Sequence, residues 1–443
     1  MDSNQTRRGY DRQILALAIP SLGALIAEPL FILIDSAIVG RLGTPELAGL
    51  SVASTLLMTI VGLCVFLAYA TTSSVSRLLG AGRRAEALRS GVDGMWLALG
   101  LGVLLAVGFG LAAPYVLGAL GASDEVLTHA TSYLRWSVPG LPGMLLVMAS
   151  TGVLRGFQDT KTPLIVATAG AIANTILSFT LVYGAGMGIA GSGLGTAIAQ
   201  IGMGVVLSVV VVARTRSEGV SIRPAIHGIL SNAKSGAPLF VRTISLRVAI
   251  LATVFVGTHL GAVALAGHQV VNSLWNFAAF GLDALAIAAQ ALVGHAVGAR
   301  DKAATSAVLR RVLQWGVGAG VVLGLVMAAA SPLLAPLFSD DPAVRHAIIV
   351  GLIAAAVFMP IAGWVFILDG VLMGAGDGPY LAKVGVINVA VYLPVAALVY
   401  FFAPSGAAGL VWLWVAFGLV YTGARAVSNG VRLRSEAWTD HAM

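Results

Sequence analysis

Apolar residues in this chain come in long blocks separated by short polar turns. A membrane-spanning helix needs about 20 mostly apolar residues. Twelve blocks reach that length: residues 13–38, 47–76, 88–117, 127–155, 161–183, 190–213, 236–258, 264–297, 305–330, 343–373, 380–402 and 407–429. Several exceed it, which predicts tilt or extension past the bilayer. Composition points the same way. Of 443 residues, 58% are hydrophobic and 10% charged, against roughly 25% charged in soluble domains. The pattern predicts an all-α polytopic membrane protein, and the 54 glycines suit close helix packing.

Basic residues orient the spans. Only Arg41, Arg135 and Arg345 fall on one side, near Asp124, Glu125, Asp340 and Asp341; the other 23 of the 26 Lys and Arg residues fall at the N-terminus, in alternate connections and at the C-terminal end. The side rich in Lys and Arg is the cytoplasmic one, so both termini are expected there, in a multi-pass protein of the cell membrane. The basic start (Arg7, Arg8, Arg12) runs straight into a span, which reads as no cleavable signal. The basic connection 214–235 is the longest and falls at the midpoint.

An internal repeat flanks it. Leu42-Gly43-Thr44-Pro45-Glu46-Leu47-Ala48-Gly49 matches Leu260-Gly261-Ala262-Val263-Ala264-Leu265-Ala266-Gly267. Gly80-Ala81 matches Gly298-Ala299, and Gly152-Val153-Leu154-Arg155-Gly156 matches Gly370-Val371-Leu372-Met373-Gly374. All three share an offset of 218 residues, which argues for duplication. The expected organisation is an N-terminal six-helix lobe (1–213), a cytoplasmic linker (214–235) and a C-terminal six-helix lobe (236–443). Six spans per half give the halves the same orientation, related by an axis along the membrane normal.

One carboxylate stands out. Asp35 closes the first apolar block, and an aspartate at membrane depth costs roughly 2.5–3.5 kcal/mol on insertion. Such a residue faces a cavity or the bundle interior. Glu28 lies two turns earlier, on nearly the same face, beside Pro29, which predicts a bend. In the eighth span Asn272, Asn276, Asp283 and Gln290 lie within ~40° of one another at 100° per residue, a polar stripe expected to face a cavity or an internal network. Asp369 in the tenth span is a second candidate for that network. The repeat places Met58 opposite Asn276 and Val65 opposite Asp283, so the lobes share a fold but not a chemistry. Phe31, Tyr69, Met144, Met148, Trp275, Phe280 and Trp364 are candidates to line an adaptable apolar cavity. Trp412 and Trp414 read as interfacial anchors. Arg155, Asp159 and Asp377 read as turn and orientation determinants.

The segment Asp35-Ser36-Ala37-Ile38-Val39-Gly40-Arg41-Leu42-Gly43, the paired Gly-x-Leu-x-Gly signatures and the two six-helix halves resemble the multidrug and toxic compound extrusion (MATE) family. Gly281-Leu282-Asp283 through Gln290, Gly298-Ala299-Arg300-Asp301 and Leu368-Asp369-Gly370 resemble its DinF-like branch. The resemblance covers nearly the whole chain. It implies cation-coupled export of organic, often cationic or amphipathic, compounds by alternating access. It also implies a polar cluster of Asn174, Ser178 and Thr196 around Asp35. Many relatives carry an aspartate where Ser178 stands. One carboxylate with an amide and two hydroxyls makes a poor sodium cage, whereas a proton needs one titratable group. Proton coupling is therefore favoured, with sodium as the alternative.

The candidate coupling residues are thus Asp35, Asn174, Ser178 and Thr196. The candidate substrate-binding residues are Glu28, Asp35, Met58, Asn272, Asn276, Asp283, Gln290 and Asp369. No cofactor or metal is expected: Cys64 is the single cysteine, and the seven histidines lack ligand spacing. No hydrolase or metalloprotease motif occurs, so no enzyme is expected. A flippase for lipid-linked precursors is the runner-up, disfavoured by the scarcity of Lys and Arg within the spans. The expected partners are small organic substrates and membrane lipids, with no nucleic acid, and the expected state is a monomer.

Overall fold

The computed structural model describes residues 3–119, 124–435 and 437–439; side-chain description starts at Arg8 and omits Ala119 and Asp124. Of the residues invoked above, Arg7 and Asp124 therefore have no described side chain. The helices are α1 (Ser3–Val39), α2 (Thr44–Leu63), α3 (Phe66–Gly80), α4 (Arg84–Ala119), α5 (Asp124–Ser137), α6 (Leu141–Gly156), α7 (Lys161–Phe179), α8 (Ile189–Ser217), α9 (Ile226–His259), α10 (Ala262–Gly298), α11 (Lys302–Phe338), α12 (Pro342–Val357), α13 (Met359–Ala375), α14 (Gly378–Phe402), α15 (Ala407–Val415) and α16 (Gly423–Arg434). By length and apolarity, 11 spans are present among the described residues, and the pair α12–α13, bent by 50°, makes a twelfth. α1 runs unbroken through Pro20 and Pro29, so no helix break marks the predicted bend.

The chain divides into two compact units. The N-unit is Ile19–Ala237; the C-unit is Pro238–Met443 together with Met1–Ala18. The connection 214–235 lies within the N-unit, held by α4. Arg89 donates to the carbonyls of Ser221 and Arg223, both at 2.7 Å, and Trp96 Nε1 donates to Ile222 O at 3.0 Å. In the C-unit, Asp11 accepts from Arg311 and, at 2.8 Å, from Trp315.

The 218-residue register holds through the architecture. α2 plus α3 covers 44–80 and α10 covers 262–298; α4 begins at 84 and α11 at 302. Backbone exceptions repeat too. Gln158 (φ 60°) and Gly376 (φ 86°) both end a helix in the left-handed region, as do Gly82 (φ 74°) and Arg300 (φ 55°) after theirs. A left-handed residue lets the chain reverse and caps the last carbonyls. A non-glycine residue there carries a steric cost, which Gln158 and Arg300 each bear in one half only. Close approach is also built in: a Cβ on Gly204 would sit 2.8 Å from Gly143 O, so α6 and α8 meet backbone to backbone. Large apolar side chains such as Leu104, Leu111 and Tyr115 point outward, as lipid-facing residues must.

Each half carries one ion pair at the same place. Arg214 binds Asp159 at 2.6 Å, and Arg432 binds Asp377 at 2.6 Å. Asp159 also caps α7 by accepting from Thr162 N at 3.0 Å and Thr162 Oγ1 at 2.8 Å. Burial works against its charge. The Thr162 backbone, the Arg214 guanidinium and the Thr162 hydroxyl together outweigh burial and hold the carboxyl below its usual range. A carboxylate with a depressed folded-state value stabilises fully above its unfolded value and stops doing so as pH falls through the folded one. The Asp377 side chain is 1% exposed against 21% for Asp159. Breaking a buried pair costs about 3 kcal/mol or more. Thermal unfolding of purified protein should therefore show Asp377→Ala lowering the midpoint well beyond Asp159→Ala, and the Asp159→Ala deficit should vanish once the pH falls well below about 4.

Candidate functional site

In the N-unit, Asp35 sits near the end of α1 and is 4% exposed. Its Oδ1 accepts from Asn174 Nδ2 of α7 at 3.3 Å, and its Oδ2 accepts from Thr196 Oγ1 of α8 at 3.0 Å. Ser178 Oγ donates to Asn174 Oδ1 at 3.4 Å. The i, i+4 spacing of Asn174 and Ser178 puts both on one face of α7. Tyr133 stands beside Thr196, and Ser192 lies buried near the carboxylate. Every group bonded to Asp35 is a neutral donor. Among the described residues, nowhere do three His, Cys, Asp or Glu side chains gather as a metal site would require.

Glu28 lies elsewhere. Seven residues along a helix is about 10 Å of rise, so a shared angular face does not mean a shared depth. Glu28 lines a cavity of about 180 Å³ with Phe31, Met144, Met148, Arg155 and Gln200. Asp35 does not line it. Glu28 makes no hydrogen bond among the described residues. Arg155 was expected to be a turn determinant; instead it is buried and faces this cavity. Met58 does not reach it, because α2 turns that residue into the N-unit core.

In the C-unit the polar stripe of α10 is not one environment. Asn276 is exposed, Asn272 and Asp283 are half-buried, and Gln290 is buried. Asp369 is cross-linked to other helices. Arg242 of α9 and, at 2.6 Å, Arg425 of α16 both bind its Oδ2, and Asn429 donates to its Oδ1 at 2.7 Å. Arg425 also lies over the rings of Tyr421 at 5.6 Å and Phe366 at 6.0 Å. The space left there is about 10 Å³, room for one water. Trp414 is not an interfacial anchor: it is buried against His268, Trp275 and Phe417, while Trp412 is exposed.

The two cavities occupy the same place in the repeat. At the offset of 218, Ala24, Glu28, Thr151, Met203 and Leu207 around the first correspond to Arg242, Leu246, Asp369, Tyr421 and Arg425 around the second. One half leaves the space open; the other fills it with an ionic cross-link. Arg242, Arg425 and Asn429 were not singled out from sequence. The signal was present in the i, i+4 spacing of Arg425 and Asn429 on the last span, but counting Arg425 as an orientation charge concealed it.

Comparison with known proteins follows the same division. Residues 20–180 and 238–398 each match the MatE family model, two matches offset by the same 218 residues. The chain belongs to the MatE family. Its MatE relatives include Protein DETOXIFICATION 45, chloroplastic, of Arabidopsis thaliana, 27% identical over 447 residues covering 95% of this chain and 78% of that protein. DNA damage-inducible protein F of Escherichia coli (strain K12) is 29% identical over 379 residues, 82% of this chain and 81% of that one. The fold matches a crystal structure of the Vibrio cholerae MATE transporter VcmN in the bent form, with TM-score 0.88, 21% identity and coverage of 98% and 99%. This MatE chain is thus a multi-pass membrane protein of a transporter family, with the two-lobe MatE fold.

The ionic cross-link yields a stability test. Asp369→Thr, which installs the residue of the other half, strands two guanidiniums and should cost about 3–5 kcal/mol, read as a lowered thermal midpoint in detergent. Adding Arg242→Ala and Arg425→Leu to it should recover most of that loss.

Proposed function

We propose that this MatE chain is a proton-coupled antiporter that exports organic, cationic or amphipathic compounds from the cytoplasm across the cell membrane by alternating access. It works as a transporter rather than an enzyme, as a monomer with both termini cytoplasmic and with no cofactor and no nucleic-acid partner. The observation that carries this reading is the pairing, on one helix, of a buried carboxylate bonded only to neutral donors and a second carboxylate open to a cavity.

Asp35 has one negative charge and nothing of opposite sign bonded to it. A proton cancels that charge without any other ligand. The hydrogen-bond pattern favours a proton over sodium. Asn174 turns its amide nitrogen toward Asp35 and commits its oxygen to Ser178, and Thr196 gives its hydroxyl proton to Asp35. A sodium ion needs oxygens turned inward, which here means reversing the amide and rotating both hydroxyls.

Cargo fits the cavity at Glu28. A carboxylate attracts an organic cation, and Met144, Met148 and Met203 supply a soft wall that adapts to varied shapes. Because Asp35 does not line that cavity, proton and cargo do not compete for one group by contact. α1 carries both carboxylates, so protonation of Asp35 changes how firmly α7 and α8 hold the helix that bears the cargo site. In the C-unit the half-buried Arg242 and Arg425 are committed to Asp369, which counts against a cationic cradle for a diphosphate at that position and keeps the flippase reading second.

Transport into vesicles with a proton or a sodium gradient imposed separately checks this assignment. Tetraphenylphosphonium uptake should follow the proton gradient, and Asp35→Asn should abolish it while leaving the thermal midpoint within a few degrees. Glu28→Gln should raise KM for the cation about tenfold, one ordinary charged contact, with less effect on turnover. Full activity of the Asp35 variant, or uptake driven by sodium alone, rejects the assignment.

A further inference from the structure

We propose that Tyr183 is a positioning residue for Asp35, whose hydroxyl latches the end of α1 onto the extension of α7 and keeps the carboxylate among its donors. This rests on the reading of Asp35 as the coupling group.

The latch is a single bond. Tyr183 Oη donates to the carbonyl oxygen of Ile38 at 2.5 Å. Ile38 lies in the last turn of α1, one turn beyond Asp35. The final carbonyls of a helix lack intrahelical partners. Gly40 N bonds to Ser36 O and Leu42 N bonds to Val39 O, so no described backbone N–H reaches Ile38 O. In an apolar medium an unmet carbonyl is costly, and the Tyr183 hydroxyl meets it. That hydroxyl ties α1 to the helix that supplies Asn174 and Ser178.

The backbone is bent to the task. α7 continues into a π-helical turn, Thr180–Gly184, and such turns shift the register of the residues after them. The corresponding segment of the other half, α14, stays α-helical through Phe402. At the offset of 218 the counterpart of Tyr183 is Phe401, which has no hydroxyl, and that of Ile38 is Val256. The counterparts of Asp35, Asn174, Ser178 and Thr196 are Thr253, Tyr392, Ala396 and Trp414. At this position of the repeat the hydroxyl and the π-turn therefore occur only in the half that holds Asp35; the other half has its π-helical turn elsewhere, at Ala416–Thr422. The same fold forms around Phe401 without the hydroxyl, so the bond is not a requirement of folding. Burial does not fix the phenol either: Tyr183 is 38% exposed, with an edge contact to Phe179 at 5.1 Å.

The two bonds that hold Asp35, and α1 with it, are long, at 3.0 and 3.3 Å, and hold the helix weakly by themselves. Losing the latch frees the last turn of α1 and lets Asp35 leave its donors more often. An interfacial anchor would act differently, because its loss changes insertion and leaves the proton dependence of transport alone.

The test is Tyr183→Phe in the full-length protein reconstituted in vesicles, with tetraphenylphosphonium as probe. Proton-driven turnover should fall about three- to tenfold, the effect of one hydrogen bond. The pH profile of transport should be displaced from the wild-type curve, while KM for the probe stays within about twofold because the Glu28 cavity is untouched. Hydrogen exchange at the amides of Gly40 and Leu42 should speed up. Phe401→Tyr, which adds a hydroxyl to the other half, should change none of these. An unmoved pH profile overturns the latch, whether turnover is normal or falls only in step with the folded fraction. Asp35→Asn, measured alongside, separates the two ideas: if it transports normally, the coupling assignment fails; if it is inactive while Tyr183→Phe matches the wild type, only the latch fails.

Discussion

An apolar bilayer does not tolerate a bare carboxylate, and this chain meets that constraint in two opposite ways. Asp369 is bound by two guanidiniums. Its charge is balanced by permanent cations, so it has no reason to change state. Asp35 is bound by an amide and a hydroxyl. Those donors stabilise the charge without cancelling it, and only a mobile cation can neutralise the group. On the proposed reading, the difference between a structural acid and an exchanging one lies in the charge of the neighbours, not in burial: both residues are 4% exposed.

Duplication makes the contrast readable. The helices, the left-handed helix ends, the Asp159–Arg214 and Asp377–Arg432 pairs and the cavity positions all recur at one offset. Backbone geometry and turn chemistry stayed common to both halves, while the side chains facing the interior diverged. One half keeps an open space with a carboxylate on its wall; the other closes the same space with an ionic cross-link. Shared elements therefore serve the fold, and unshared ones are where function is to be sought.

Most of the fold was legible in the sequence, because span length, basic asymmetry and an ungapped repeat are one-dimensional signals. Asp35 was legible for the same reason: a charge in an apolar block is conspicuous without knowing its neighbours. Its surroundings were named through family resemblance, and the structure brings Asn174, Ser178 and Thr196 to it. What failed was inference across helices. Angular position on one helix put Glu28 with Asp35, but depth along the helix separates them. Met58 was expected to touch cargo, yet it packs against the N-unit core. Arg155, Arg242 and Arg425 lie close to polar turns, where sequence cannot distinguish a solvated orientation charge from a side chain folded back into the interior.

The central claim is that Asp35, and not Asp369, gains and loses a proton in register with cargo. Infrared difference spectroscopy on the protein in lipid measures this directly. The account predicts a protonated-carboxyl band that appears on acidification, disappears when an organic cation is added, is absent from Asp35→Asn and is unaffected in a folded variant lacking the Asp369 cross-link. A band that survives in Asp35→Asn and follows Asp369, or a spectrum that does not respond to cargo, would contradict it.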